Sequence, residues 1–196
     1  MVSDSTKTIA VIIVVAMALA ATTPLFVGPK VDRMSLRARD VGSGWQENSR
    51  FSPNYTDGSN FARNLTSSEN VLMSNETSII SAQLFVFKSP EAIINLFPGP
   101  FQYQLFFPRT EEVDIGDMGY IHGYGQNTMY VVAIDGQIFY ANPSNIVSLV
   151  FVEDNVLSEI TMSVKGVDTP AQPWIWDFIL DLGMIQLQKI DRYSGY

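Results

Sequence analysis

Residues Ile9 to Val27 form an unbroken apolar run, IAVIIVVAMALAATTPLFV, without a charged side chain. At a rise of about 1.5 Å per residue, such a helix just crosses the roughly 30 Å hydrocarbon layer of a bilayer. A core helix of a soluble protein normally keeps a polar stripe, and here only Thr22 and Thr23, near one end, are polar. Two readings stay open. Ala16, Ala18, Ala20 and Ala21 provide small-residue cleavage sites for a signal peptide. Against cleavage, Lys7 is the only base before the run, Asp4 offsets it, and the run continues through Pro24, Leu25, Phe26 and Val27. The expectation is therefore a retained transmembrane anchor. It divides the chain into a tail (1–8), an anchor (9–27), a basic neck (28–40) and a domain (41–196).

Sidedness has arguments both ways. Lys30, Arg33, Arg37 and Arg39 follow the span, and basic residues favour the cytoplasmic side. Yet three N-x-[ST] glycosylation sequons, at Asn54, Asn64 and Asn75, cluster in one polar segment. The chain has no cysteine, so it carries no signature of a reducing compartment. A short tail before a long folded domain is the layout of a signal-anchor. The expected placement is a single pass through the cell membrane, with the C-terminal domain outside.

Beyond residue 40 the chain carries 17 acidic and 7 basic side chains, a net charge of −10. This argues against nucleic acid, which demands basic patches. It also disfavours broad contact with an anionic membrane, except through the neck. The length suits one domain.

Along the chain, Trp45 opens a first strand after the Gly42 and Gly44 turn. Residues 52–70, SPNYTDGSNFARNLTSSEN, read as a surface loop or a short helix near Phe61–Leu65. Val71–Met73 and Ser78–Lys88 read as an extended pair bent at Asn75-Glu76. Ser89-Pro90-Glu91 starts a helix, with Ser as N-cap and Pro at the first position. EEVDIGDMGYIHGYGQ reads as an acidic, glycine-bearing loop. A meander follows: TMYVVAI and QIFYA joined at Asp135-Gly136, then IVSLVFV and VLSEITMSV. The end, WIWDFILDLGMIQLQKI, is an amphipathic helix with Asp177, Asp181 and Gln188 on one side and Trp174, Phe178, Ile179, Leu182 and Ile185 on the other. The predicted fold is α+β: a transmembrane helix, then one domain with a mainly antiparallel sheet covered by a helix after residue 89 and a C-terminal helix.

Candidate sites are few. His122 is the single histidine, a natural proton carrier near neutral pH, but no nucleophile-elbow motif accompanies it. Cysteine chemistry is impossible, and a His/Cys zinc site lacks ligands. Glu111, Glu112, Asp114 and Asp117 could hold calcium, or could form a solvated loop. The aromatic stretch with Phe97, Phe101, Tyr103, Phe106 and Phe107 is the candidate contact surface for an apolar ligand or a protein partner; the competing reading is that these rings fill the core. No catalytic residue and no cofactor is expected. The expected function is a non-enzymatic binding or accessory domain. The alternatives are a structural subunit of a membrane or envelope complex, with small alanines allowing close helix contact, and a carboxylate-dependent hydrolase using the acids of 111–117.

Four short motifs occur in a known order. Asp40-Val-Gly-Ser-Gly-Trp45 resembles the D-L-P-x-G-W opening of many exported bacterial and archaeal α/β domains. Val86-Phe-Lys-Ser-Pro-Glu-Ala92 resembles their strand running into an F-x-S-x-E-E-A helix. Asp114-Ile-Gly-Asp117 is similar to their i-G-D-x-a loop, and Gln186-Leu-Gln-Lys-Ile190 to the Q-L-x-K-I end of their last helix. The chain thus resembles PsbP-like and LpqN-type exported α/β sandwich domains. That resemblance implies an accessory or binding role and no catalytic residue. The lipid-attachment cysteine of such lipoproteins is absent here, so the helix itself would have to provide attachment.

Overall fold

The structure is a computed structural model. It describes residues 29–94, 109–123, 130–134, 137–141, 146–164 and 173–194. The apolar segment 9–27 and the aromatic residues 97–107 lie outside the described residues. Among the described residues, no helix is long and apolar enough to cross a membrane.

Nine strands and five helices are described. Two short helices, α1 (Pro29–Met34) and α2 (Ala38–Val41), precede strand β1 (Gln46–Phe51). Helix α3 (Asn60–Asn64) leads into β2 (Leu65–Ser74), β3 (Ser78–Phe87) and helix α4 (Pro90–Ile94). Then come β4 (Arg109–Val113), β5 (Met118–Gly123), β6 (Tyr130–Ile134), β7 (Gln137–Ala141), β8 (Ile146–Glu153), β9 (Val156–Val164) and helix α5 (Pro173–Ser194). Seven strands form one antiparallel sheet in the order β1-β2-β3-β9-β8-β5-β4, and β6 pairs with β7 alone.

The predicted antiparallel sheet and C-terminal helix are present. Three details differ from the expectation. β2 begins at Leu65, six residues before Val71, because its polar half finds full pairing partners along β3 despite its composition. The acidic "loop" 111–123 is a hairpin, with Val113 opposite Gly119 and Glu112 opposite Tyr120. Its glycines hid the strand. The meander is split, because β8 pairs with β5 and β9 and not with β7.

Helix α5 lies on one sheet face. Its stripe of Ile175, Ile179, Leu182 and Ile190 is fully buried against Met73, Ile80, Leu149, Phe151 and Ile160. Asp177, Asp181 and Gln188 face water, as their spacing predicted. Trp174 does not join the buried side and stays 46% exposed. It falls one turn before the half-buried Phe178, on the flank of the stripe.

Gly183 sets how closely α5 approaches the sheet. A Cβ there would stand 2.3 Å from Leu149 Cδ2 and 3.2 Å from Ile115 Cδ1. Alanine normally favours a helix over glycine by about 1 kcal/mol. Here the fully buried Leu149 would have to leave its rotamer, and overpacking costs roughly 1–3 kcal/mol. Gly183→Ala should therefore lower the thermal midpoint by a few degrees; a rise would show that Leu149 repacks freely.

The segment leading into the domain is tied to the fold. Val31, Met34, Leu36 and Val41 are buried in the α5-side core. The Gln186 amide donates to the Met34 carbonyl, and Lys189 Nζ reaches the Ser35 carbonyl at 2.9 Å and pairs with Asp40. Arg37 pairs with Asp32 at 2.7 Å, while Arg33 and Arg39 are exposed.

Candidate functional site

A sheet covered on both faces normally reads apolar on both. β9 breaks this rule. Val156, Ile160, Met162 and Val164 point to α5, whereas Leu157, Glu159, Thr161 and Ser163 point to the opposite face. The strand order then lines up polar residues from five strands. Thr110, His122, Ser148, Thr161 and Ser81 are successive cross-strand partners from β4 to β3. The next row along the strands is Glu112, Tyr120, Val150, Glu159, Gln83 and Asn70. The third row is apolar: Met118, Val152, Leu157 and Phe85.

The apolar end is capped. Tyr55 and Phe61 from the 52–64 segment stack edge-on at 5.2 Å, and Phe61 meets Phe85 and Phe87 at 5.4 Å each. Tyr55 also lies 6.1 Å from Phe85. Ile93 of α4 closes the same cluster. Ser68 Oγ donates to the Pro53 carbonyl at 2.9 Å, which holds the Tyr55 loop over the sheet. Tyr55 therefore stands where the aromatic cap meets the polar rows.

The polar end is bonded internally. The Ser148 and Thr161 hydroxyls share a hydrogen bond, and Thr161 Oγ1 donates to Glu159 Oε1 at 3.4 Å. Ser81 Oγ donates to Asn70 Oδ1 at 3.5 Å. Glu159 keeps part of its surface open, yet burial raises its carboxyl pKa, against the Thr161 bond that lowers it. Tyr55 is pushed up to about 12, mostly by burial and then by the Glu159 charge. His122 is buried, and loss of solvent pulls it down to about 4. A neutral imidazole that resists protonation until so acid a pH is a poor proton carrier near neutrality.

The architecture has a known counterpart. The chain is similar to the extracellular domain of PknH from Mycobacterium tuberculosis, solved by crystallography, with a TM-score of 0.51 at 9% identity. The match covers 87% of this chain and 98% of that one. At this identity the likeness is one of fold alone. No protein family and no curated protein matches the sequence.

The residues singled out in the sequence fall differently. Glu111 and Glu112 sit exposed on β4, and Asp114 and Asp117 are exposed in the turn after it. Asp117 Oδ2 accepts from the Asp154 amide at 2.9 Å, so it braces the β8–β9 turn. Among the described residues no three His, Cys, Asp or Glu side chains are grouped to hold a metal. Asn75 sits at the β2–β3 hairpin tip, its Oδ1 accepting from the Thr77 and Ser78 amides at 2.9 and 2.7 Å. Asn64 Nδ2 donates to the Asn60 carbonyl at 2.8 Å, and Asn54 is half-buried in the loop before Tyr55.

Sequence reasoning missed Glu159, Thr161, Ser148, Gln83 and Asn70. The alternation in VLSEITMSV was legible, but on its own it places Glu159 and Thr161 on a solvated face. Only the pairing of β9 between β3 and β8 gathers them with side chains about 80 residues away.

Proposed function

We propose that this chain is a membrane-anchored, extracytoplasmic binding domain without catalysis of its own, and that its ligand face is the polar and aromatic surface opposite α5. The observation that carries this is the pair of polar rows gathered from β4, β5, β8, β9, β3 and β2 on a face that is otherwise core. Buried hydrogen-bonding groups beside aromatic rings are the composition of a small-molecule site. A structural role alone would be met more cheaply by apolar side chains, since burying polar groups costs free energy unless every bond is made.

The extracytoplasmic part rests on three supports: the apolar run 9–27, the sequons at Asn54, Asn64 and Asn75, and a fold shared with a domain described as extracellular. The motif likeness to PsbP-like and LpqN-type proteins points to the same accessory role. The aromatic segment Phe97 to Phe107 remains a proposed partner surface.

Two measurements test the reading. Protease added to intact cells should remove the domain while leaving cytosolic markers whole; full protection would place it inside. A small-molecule extract of the source cells should raise the thermal midpoint of the full chain. Ser148→Ala with Thr161→Val, which strips the hydroxyl pair, should abolish that rise, and an unchanged rise would move the ligand elsewhere.

A further inference from the structure

We propose that Glu159, half-buried on this face, takes an organic cation, an amine or quaternary ammonium group seated between its carboxylate and the Tyr55 ring. This rests on the binding reading above and adds the chemical class.

Charge excludes one class first. Between Lys88 and Lys165 the sequence holds a single basic residue, Arg109, against nine acids. That stretch supplies β4, β5, β8 and β9, four of the six strands that carry the polar rows. Among the described residues, no Lys or Arg occupies any of the three rows. A phosphate or carboxylate ligand on this face would meet the Glu159 carboxyl, which repels it, and no Lys or Arg of the described rows. The domain's acidic field would slow its approach and speed that of a cation.

The local chemistry then favours a cation over an uncharged ligand. Glu159 is the only carboxyl in the middle of the rows; the nearest other acid in its row, Glu112, lies three strands away at the exposed edge. Aromatic faces attract cations, most strongly where water is excluded. Tyr55 is partly exposed, packs 6.1 Å from the buried Phe85, and feels the charge of Glu159 at its hydroxyl. A carboxylate neutralises the charge of an ammonium group, and a neighbouring ring covers its methylenes or methyls. The Gln83 and Asn70 amide oxygens and the Thr161 hydroxyl supply acceptors for any N–H donors.

Binding should release a proton. A half-buried carboxyl with no cation beside it among the described residues favours its neutral form, and a bound ammonium restores the carboxylate. Among the described residues, the titratable groups on the same face as Glu159 are Tyr55 from the loop above, Tyr120 and His122 from β5, and Glu112 from β4; β3 and β2 present the uncharged Gln83 and Asn70. Tyr55 and Tyr120 have pKa values raised above the ordinary tyrosine range and His122 is held neutral, so the released proton comes from Glu159.

Titration calorimetry on the full chain tests this, with choline and spermidine as cations, sorbitol as neutral probe and citrate as anion. Each is run in two buffers of different ionisation enthalpy. The expected result is binding of at least one cation with proton release, and neither binding of sorbitol nor of citrate. Glu159→Gln should weaken cation binding on the order of tenfold and abolish the proton release. Tyr55→Leu should weaken choline binding while leaving the proton release in place. Sorbitol or citrate binding in preference to the cations overturns the class but keeps the face as a site. If neither cation binds at millimolar concentration, while the cell extract still stabilises the chain through Ser148 and Thr161, the cation is wrong and the binding reading survives. If the extract effect is also absent, both fall.

Discussion

Arg50→Met should be among the most destabilising single changes in the domain, costing about 3–5 kcal/mol. Arg50 is the hub of a charge network at the β1–β2 edge. Its Nε and Nη2 each meet a Glu47 oxygen at 2.8 Å, its Nη1 lies 2.9 Å from Glu69 Oε2, and its Nη2 donates to the Leu36 carbonyl at 2.9 Å. Asp32 adds a fourth partner at 3.5 Å. Glu69 decides the magnitude. It is 3% exposed, on the α5 face beside Val71 and Met73, and Arg50 is its ion-pair partner. Removing the guanidinium leaves a buried carboxyl without its cation, and the cost of that exceeds the modest value of the exposed pairs. Methionine keeps the aliphatic stem, so packing is largely preserved. Urea denaturation should show the midpoint falling at unchanged slope, and the thermal midpoint should drop by roughly 10 °C or more. Arg50→Met with Glu69→Leu should recover most of the loss, because both partners then go together. A single-variant loss below about 1 kcal/mol would mean that Glu69 reaches water in the folded state.

The same network ties the chain's approach to the sheet. Arg50 holds Asp32 and the Leu36 carbonyl, Arg37 closes on Asp32, and Lys189 and Gln186 hold residues 34–40 from α5. In the sequence these charges stand as a short run after an apolar segment, and their partners are distant: Glu69, Lys189, Gln186. Charge pairing of this kind cannot be read from a run, because the register of β1 on β2 and the docking of α5 bring the partners together.

The strands were legible where branched and aromatic residues are dense or alternate. β3 and β8 carry runs of such residues, β9 alternates at period two, and α5 shows its stripe at period 3.6. At the turn between β8 and β9, Asp154 adopts φ 51°, and Glu153 pairs with Val156 across it. β2 and the β4–β5 hairpin were hidden because Thr66, Ser67, Ser68 and Glu69, or Gly119 and Gly123, do not advertise a strand. Gly116 explains why that second region must be glycine-rich. It sits at φ 70°, and a Cβ there would come within 2.3 Å of the Val152 carbonyl oxygen. The site was illegible for a different reason. Its members are spaced by sheet order, and a polar residue on a strand looks the same whether it meets water or a ligand.

Acid should destabilise the domain through His122, with Glu159 working in the opposite sense. Burial holds His122 near a pKa of about 4, against 6.5 for an unconstrained imidazole. As pH falls, the unfolded chain takes up this proton first, near 6.5, while the folded domain refuses it until about 4. The unfolded state therefore binds more protons throughout that window, and stability falls with falling pH by about 3 kcal/mol in all. Glu159 has a raised pKa, so the folded domain takes up that proton before the unfolded chain does. It restores stability as pH drops through its folded value toward 4.5. Near neutral pH, where Glu159 is ionised in the unfolded chain, its burial is a cost. Two variants separate the terms. His122→Gln should flatten the loss between about pH 6.5 and about pH 4 in urea midpoints. Glu159→Gln should raise stability near pH 7 and steepen the acid loss, because the compensating proton uptake is gone. A His122→Gln domain that loses stability along the same curve as the parent would mean that the imidazole is solvated enough to titrate normally in the fold.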